Sequence, residues 1–414
     1  MELQKLLQIR KEKGKEIART SKVILSGDKW LVPSQSSNKT YEVILDLGNS
    51  KCNCPDYIGR SIKCKHIFAV EITTSRQVNP NGSVTITQTK RITYPQDWAN
   101  YTKAQTEEGR LFKELLKDLV ENVPEPIREG AGRPSVPRKE ALYCAIEKVY
   151  SMQSSRRARS RYVEAQNIGN ITKAPSYNVI NIALNDIEIT PILHRLLNIT
   201  ALPLKSVETK FSPDSTGFRT SRFSDYCEKK HNTQKEHKWI KCHAITGNKT
   251  NVVVSAIITD ENGADSPQFI PLVNETADLG FNMEEVSADK AYNSIDNYNA
   301  VHAVGGTAYI PYKSNTTALS NTGNRARLWR KMFHYFQLNQ DEFLQHYHNR
   351  SNVETTFHAI KAKFGDCLKN KNYISQANEV LCKLIAYNIT VLISAMYELK
   401  IEPELVDVTK SKTY

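Results

Sequence analysis

Four residues between positions 52 and 66 have the types and spacing of a metal site. Cys52, Cys54, Cys64 and His66 follow the pattern C-x-C-x9-C-x-H within CNCPDYIGRSIKCKH. Three thiolates and one imidazole are the donor set that tetrahedral Zn2+ favours, and two close pairs separated by a loop can wrap one ion. Buried free thiols beside an incidental histidine are the alternative. Metal binding and folding are expected to be coupled here, because so short a unit has little core of its own.

A second set consists of carboxylates: Asp214 in KFSPDSTGF, Asp289 in VSADKAY and Glu354 in YHNRSNVETTFHAIKAKFGD. Phosphodiester chemistry with two hard cations needs carboxylates on rigid elements, so that the ions sit about 4 Å apart over one phosphorus. An aspartate at a strand end is commonly a turn or cap residue, so each alone says little. Wound as one helix at about 100° per residue, residues 347–366 bring Tyr347, Arg350, Glu354, His358 and Lys361 into an arc of roughly 80°. Val353, Phe357, Ile360 and Phe364 form a separate apolar stripe that anchors the helix. Arg350 and Glu354, four apart, could also be a plain surface ion pair worth a few tenths of a kcal/mol.

The surrounding sequence supplies elements to hold both sets. Residues 20–100 read as β-rich, with Ser, Asn and Gly turns. From about 103 the apolar spacing turns helical, and PEPIREGAGRPSVP ends that helix as a Pro/Gly linker. Residues 138–200 give three or four short helices carrying Arg156, Arg157, Arg159 and Arg161. They read either as a helix-turn-helix type DNA-binding unit or as a connector with a solvated basic face. After 205 come three consecutive strands, KSVETKFSPDSTGF, HKWIKCHAI and NVVVSAIITD. The third is almost wholly apolar and so is expected at the centre of its sheet. A helical segment, a fourth strand at MEEVSAD, a short helix and a fifth strand at TAYIPY follow, and helices finish the chain.

Bulk properties narrow the partners. A chain of 414 residues suggests two to four domains. Its 56 Lys plus Arg against 44 Asp plus Glu give a net charge of +12, which favours a polyanion through phosphate contacts and counterion release. An anionic membrane would also suit that charge. The longest apolar stretch, LIAYNITVLISAM at 384–396, falls short of the ~20 residues that span a bilayer and reads as a buried helix. The charged amino terminus has no apolar signal region, so a cytoplasmic, chromosome-associated protein is expected. Three of the eight cysteines lie within 52–64, which in such a compartment argues for metal over disulfides. Cys227, His231, His237, Cys242 and His243 form a looser group. Their spacing is irregular and Cys242 and His243 point to opposite faces of a strand, so no second metal is expected there.

Two resemblances follow from these motifs. A strand followed by C-x-C, a loop and C-x-H opening a helix resembles the SWIM zinc finger, a family associated with DNA-binding proteins, transposases among them. It implies one closed, structural Zn2+ on Cys52, Cys54, Cys64 and His66. The order β-β-β-α-β-α-β-α with its three carboxylates resembles the ribonuclease H-like fold of DDE transposases and retroviral integrases. Tyr347, Arg350, Glu354 and Lys361, spaced Y-x2-R-x3-E-x6-K, match the signature of insertion-sequence DDE transposases.

These resemblances imply an α/β protein whose ribonuclease H-like mixed sheet with flanking helices is preceded by a small β-rich zinc finger domain and a helical DNA-binding region. The implied divisions are 1–100 with the finger at about 40–75, 101–204 for the helical region, 205–400 for the catalytic domain and 401–414 for a tail. Asp214, Asp289 and Glu354 would hold two Mg2+ or Mn2+ ions, one activating water or a DNA 3′-hydroxyl and the other stabilising the leaving 3′ oxygen. Arg350 and Lys361 would hold phosphates of the element end, with Tyr347 against a sugar or base. The implied protein is a transposase that cuts element ends and joins their 3′-hydroxyls to target DNA, acting as at least a dimer and away from membranes. The alternatives are an inactive or domesticated zinc-dependent DNA-binding regulator, and a ribonuclease or Holliday junction resolvase on the same fold. Residues 290–353 leave no room for the large β-rich insertion some family members carry, so Arg325, Arg327, Arg330 and Lys331 are expected to contact DNA in that interval.

Overall fold

In a computed structural model, residues 2–405 are described except for 22, 28, 36, 38, 46–49, 79–83, 89–96, 122, 127–134, 221–238 and 318–322. The chain divides into two units, Met1–Pro95 and Gln96–Tyr414.

The first unit opens with helix α1 (Glu2–Thr20). An antiparallel sheet follows in the order β1 (Ile24–Ser26), β2 (Lys29–Pro33), β3 (Thr40–Ile44) and β4 (Lys51–Cys52). Helices α2 (Pro55–Arg60) and α3 (Lys65–Thr73) come next, then a hairpin of β5 (Thr74–Val78) and β6 (Val84–Gln88). Its core is small: Ile17, Val23, Trp30, Val32, Val43, Ile67, Ala69 and Val70 pack with Cys52, Cys54 and Cys64. Helix α1 has no counterpart in the sequence reading. Among its described side chains the buried ones are Arg10, Gly14 and Ile17, at helical spacing but with one large apolar residue, and the charged residues between them hide the pattern. Gly14 matters because a Cβ there would lie 2.6 Å from Phe68 Cβ and 3.0 Å from the Lys65 carbonyl of α3.

The second unit begins with five helices: α4 (Trp98–Glu121), α5 (Arg138–Tyr150), α6 (Arg159–Asn167), α7 (Tyr177–Leu184) and α8 (Ile189–Ala201). A five-stranded sheet follows, made of β7 (Lys210–Arg219), β8 (Trp239–Gly247), β9 (Val253–Asp260), β10 (Glu285–Ser287) and β11 (Thr307–Tyr309) in the spatial order β11-β10-β7-β8-β9. Strands β7, β8 and β9 are antiparallel, whereas β10 and β11 run parallel to β7. Crossover helices α9 (Ser266–Asp278) and α10 (Ile295–Ala303) make those parallel connections possible. Helices α11 (Arg327–Leu338), α12 (Gln340–Tyr347), α13 (Ser351–Phe364) and α14 (Tyr373–Glu398) complete the unit. One core cluster runs from Ala104 to Leu405, so the helices before position 204 and the sheet after it share a hydrophobic interior.

Strand β9 corrects an expectation. It is an edge strand, not a central one, although Val253, Val254 and Ala256 are buried. Helices α8, α9 and α14 cover it, and side-chain amides take up backbone groups along its open edge. Asn388 of α14 accepts from Val253 N at 2.9 Å and donates to Val253 O at 2.7 Å, while Asn198 of α8 donates to Val254 O at 3.0 Å. An edge sealed in this way needs no polar outer face, which is why an apolar sequence misread its position.

Helix α14 is long and apolar enough to cross a membrane by length and composition, but it is largely buried within the unit. It packs against α4, α5, α7 and α8. Its buried Asn378, Glu379, Lys383 and Asn388 all carry hydrogen bonds, as a core helix requires and a lipid-facing one would not.

The segment 347–366 is likewise not one helix. Tyr347 ends α12, residues His348–Arg350 form a single 3-10 turn, and α13 starts at Ser351. The expected apolar stripe holds: Val353, Phe357, Ile360 and Phe364 are buried.

Candidate functional site

Asp214 lies in the middle of β7, and its backbone turns its side chain toward the start of α13. Ser215 N donates to Asp214 Oδ1 at 2.8 Å, leaving Oδ2 free to face Arg350 Nη2 at 3.0 Å. Asp289 repeats the arrangement just past β10. Its Oδ1 caps the following 3-10 turn by accepting from Lys290 N at 2.6 Å, and its Oδ2 stands 3.9 Å from Arg350 Nη2. The local cap role and the site role therefore coexist, one on each oxygen. Glu354, one turn into α13, accepts from Arg350 Nη1 at 2.7 Å. Three carboxylates from a central strand, a strand end and a helix thus meet on one guanidinium.

Their electrostatics fit a cation site. Burial pushes the Asp214 carboxyl above its usual range, and the charges of Glu354 and Asp289 add to that rise, against Ser215 N–H and Arg350. The side chain of Asp214 is 17% exposed and that of Arg350 18%, while Asp289 and Glu354 reach solvent at 40% and 60%. A hard, oxygen-only donor set with excess negative charge, open on one side, is chemically suited to Mg2+ or Mn2+. The oxygens of the three are not all within 4.8 Å of one another; Arg350 stands between them.

The other expected contact residues divide. Tyr347 is half-buried and hydrogen-bonds Arg350, with burial raising its phenol against that bond, so it belongs to the cluster. Lys361 does not reach the carboxylates. Its Nζ lies 5.5 Å from the Phe218 ring centroid, and burial lowers its ammonium while Asp366 opposes that. Phe218 is four strand positions beyond Asp214, a distance of about 13 Å. His358 is exposed. Arg325 pairs with Asp296; Arg327 and Lys331 are exposed.

Sequence reasoning missed the support beneath Asp214. Asp265, just before α9, hydrogen-bonds Ser215 and Lys241, and it stands 3.2 Å from buried His243. Ser215, Lys241 and His243 share one sheet face through the β7–β8 register, opposite Asp214. Only the pairing reveals this, since no local spacing joins position 265 to 215.

The zinc-type site lies in the first unit. Cys52 ends β4, Cys54 caps α2, and Cys64 and His66 open α3. All four are buried and their ligand atoms lie within 4.8 Å of one another. His66 Nδ1 faces Cys52 Sγ at 4.0 Å and Cys64 Sγ at 3.9 Å. Hydrogen bonds from Cys52 and from His66 hold the Cys64 thiol below its usual range, while its own bond pushes Cys52 up. Four soft or borderline donors converging on one point, with one already tending to thiolate, fit Zn2+. Among the described residues this is the one His, Cys and carboxylate cluster that tight. Cys227, His231 and His237 lie outside the described residues. Cys242 and His243 do lie on opposite faces, His243 bonding Thr259 at 3.0 Å.

Arg10 of α1 braces the loop between the two ligand pairs, donating to Asp56 at 2.5 Å and to the Lys63 carbonyl at 3.1 Å.

Known families match two segments of the chain. Residues 206–389 match the family Transposase DDE domain, and residues 41–74 match the family SWIM zinc finger. One solved structure, described as "Cryo-EM structure of piggyBac transposase synaptic complex with hairpin DNA (SNHP)", is similar at 10% identity over 71% of this chain and 74% of that one, with a TM-score of 0.36. The chain thus carries a transposase DDE domain and, ahead of it, a SWIM zinc finger.

Proposed function

We propose that this protein is an active DNA transposase of an insertion sequence, one that cuts the ends of its element and joins the resulting 3′-hydroxyls to target DNA. The observation that carries the reading is the meeting of Asp214, Asp289 and Glu354 on Arg350 within a transposase DDE domain. A protein that only bound DNA would have no use for three carboxylates gathered at one solvent-open point, since like charges there cost stability and repel phosphate.

In this reading Asp214, Asp289 and Glu354 hold two Mg2+ or Mn2+ ions. Those ions, when bound, supply an activated water or 3′-hydroxyl and stabilise the leaving oxygen. The chain's own part is positional. Ser215 N–H and Lys290 N–H each fix one oxygen of an aspartate, so that the other has a defined direction. Arg350 and Tyr347 stand beside the carboxylates to take a phosphate and a sugar or base, and Lys361, beside Phe218, serves a phosphate farther from them. The finger at about 40–75 holds one structural Zn2+. Residues 101–204 and the finger are the candidates for reading the terminal repeat, and 205–400 carry the chemistry. Two element ends require at least a dimer, and the chromosome is where the protein would work.

The test uses a duplex bearing the inverted repeats that flank its reading frame, with Mg2+. Cleavage should depend on the metal, and Asp289→Asn should lower it by roughly a thousandfold, about 4 kcal/mol of lost transition-state stabilisation. An Asp289→Asn protein that still cuts element ends defeats the proposal. Zinc-dependent binding of the duplex without any Mg2+-dependent cleavage by the unaltered protein would favour a regulator instead.

A further inference from the structure

Arg350 is placed oddly for a residue whose only task is to hold DNA. Its guanidinium is 18% exposed and turned inward, bonded to Asp214 and Glu354 and 3.9 Å from Asp289. Those are the oxygens that the metal reading needs. Three carboxylates and one guanidinium leave a net charge of about −2 at neutral pH. Two divalent cations added to the same point without moving Arg350 would reverse that to an excess of positive charge, at contact distance and partly shielded from water.

Arg350 can leave without a change of backbone. It caps the start of α13 with helical angles, φ −57° and ψ −30°, and its guanidinium moves by side-chain rotation alone. Its Nε is buried and without a hydrogen-bond partner, so the arginine is held at its tip and not along its stem. Such a group is secured by the charges it neutralises and released when something else neutralises them.

We propose that Arg350 is a displaceable counterion: in the metal-free protein it holds Asp214, Asp289 and Glu354 together, and divalent cations loading the site drive it off toward the bound nucleic acid. The inference rests on the reading of these three carboxylates as metal ligands. It adds that metal and guanidinium exclude each other. Metal loading then frees a phosphate-binding group at the moment it is needed, and phosphate that engages Arg350 opens the carboxylates to metal, by the reciprocity of linked equilibria.

Mn2+ binding to the zinc-loaded, full-length protein without DNA tests this, followed by calorimetry and by the electron paramagnetic signal of free Mn2+. Arg350→Gln should tighten binding about tenfold, the scale of one charge-assisted hydrogen bond no longer competed for. It should also lower the melting temperature of the zinc-loaded protein without Mn2+ and enlarge the rise on adding Mn2+. Arg350→Lys, which keeps the charge but cannot bridge, should fall between, and it carries the test if Arg350→Gln does not fold. Lys249→Gln removes an exposed cation at the turn between β8 and β9 and should change binding by less than about twofold. Binding by Arg350→Gln no tighter than by the unaltered protein overturns the inference, as does an equal gain from Lys249→Gln. If the unaltered protein binds Mn2+ and Asp214→Asn does not, the ligand reading survives that failure. Absence of saturable Mn2+ binding in every variant removes both.

Discussion

Asp214 Oδ2 and Arg350 Nη2 stand 3.0 Å apart although 136 positions separate their residues in the chain. The sheet makes this possible: β7 lies between β10 and β8, so Asp214 is central and Asp289 beside it, while α13 lies against β7 and delivers Glu354. Each side chain is held by a contact within a residue or a helical turn of itself, and the site is the sum of those local fixings.

Removing zinc should unfold the first unit and spare the second. The core of the first consists of eight apolar residues and three of the candidate ligands, and a structural zinc contributes on the order of 10 kcal/mol. Calorimetry of the full chain should lose one transition on chelation or in Cys64→Ser. Two unchanged transitions would exclude a structural metal.

Two glycines of the first unit should respond oppositely to alanine. At Gly14 the added Cβ meets Phe68 Cβ at 2.6 Å. Overpacking of about 1–3 kcal/mol should exceed the ~1 kcal/mol gained in helix propensity, so Gly14→Ala destabilises α1 against α3. At Gly59 of α2 nothing lies within 4 Å, and Gly59→Ala should be neutral or stabilising by up to about 1 kcal/mol. Thermal melts of the zinc-loaded protein decide.

Burial pushes the Glu147 carboxyl up to about 7, with Lys113 and Arg161 opposing it. It is 2% exposed, and its Oε2 has no hydrogen-bond partner. The folded state therefore holds a proton that the unfolded state has lost, so this group's stabilising contribution is full below the unfolded value near 4.5 and declines as pH rises to about 7. The loss is about 3 kcal/mol. Glu147→Gln should leave the melting temperature near pH 4 almost unchanged and raise it at pH 8. Equal shifts at both pH values would refute the assignment.

Asn388→Leu keeps the volume of the side chain and removes its amide. Val253 N–H and C=O would then be buried without partners, while Thr200 would keep only its bond to the Leu197 carbonyl, costing about 2–4 kcal/mol. Urea unfolding of the second unit measures it. A loss below about 1 kcal/mol would mean that β9 does not depend on α14 for its outer edge.

Much of this was legible in the chain itself, and the reason is range. Cys52, Cys54, Cys64 and His66 act over fifteen positions, so their spacing already contains the site. The five strands and the stripe Val353, Phe357, Ile360 and Phe364 are set by local apolar period, which packing against a core only confirms. Tertiary structure decided what no short window contains. It put β9 at the edge, because Asn388 and Asn198 from distant helices could satisfy its open backbone. It broke the helix at His348–Arg350, aimed one oxygen of each aspartate inward, and sent Lys361 to Phe218. Above all it gave Arg350 three carboxylates at once. A sequence can place a charge on a face, but which opposite charges meet it depends on elements brought together only when the sheet closes.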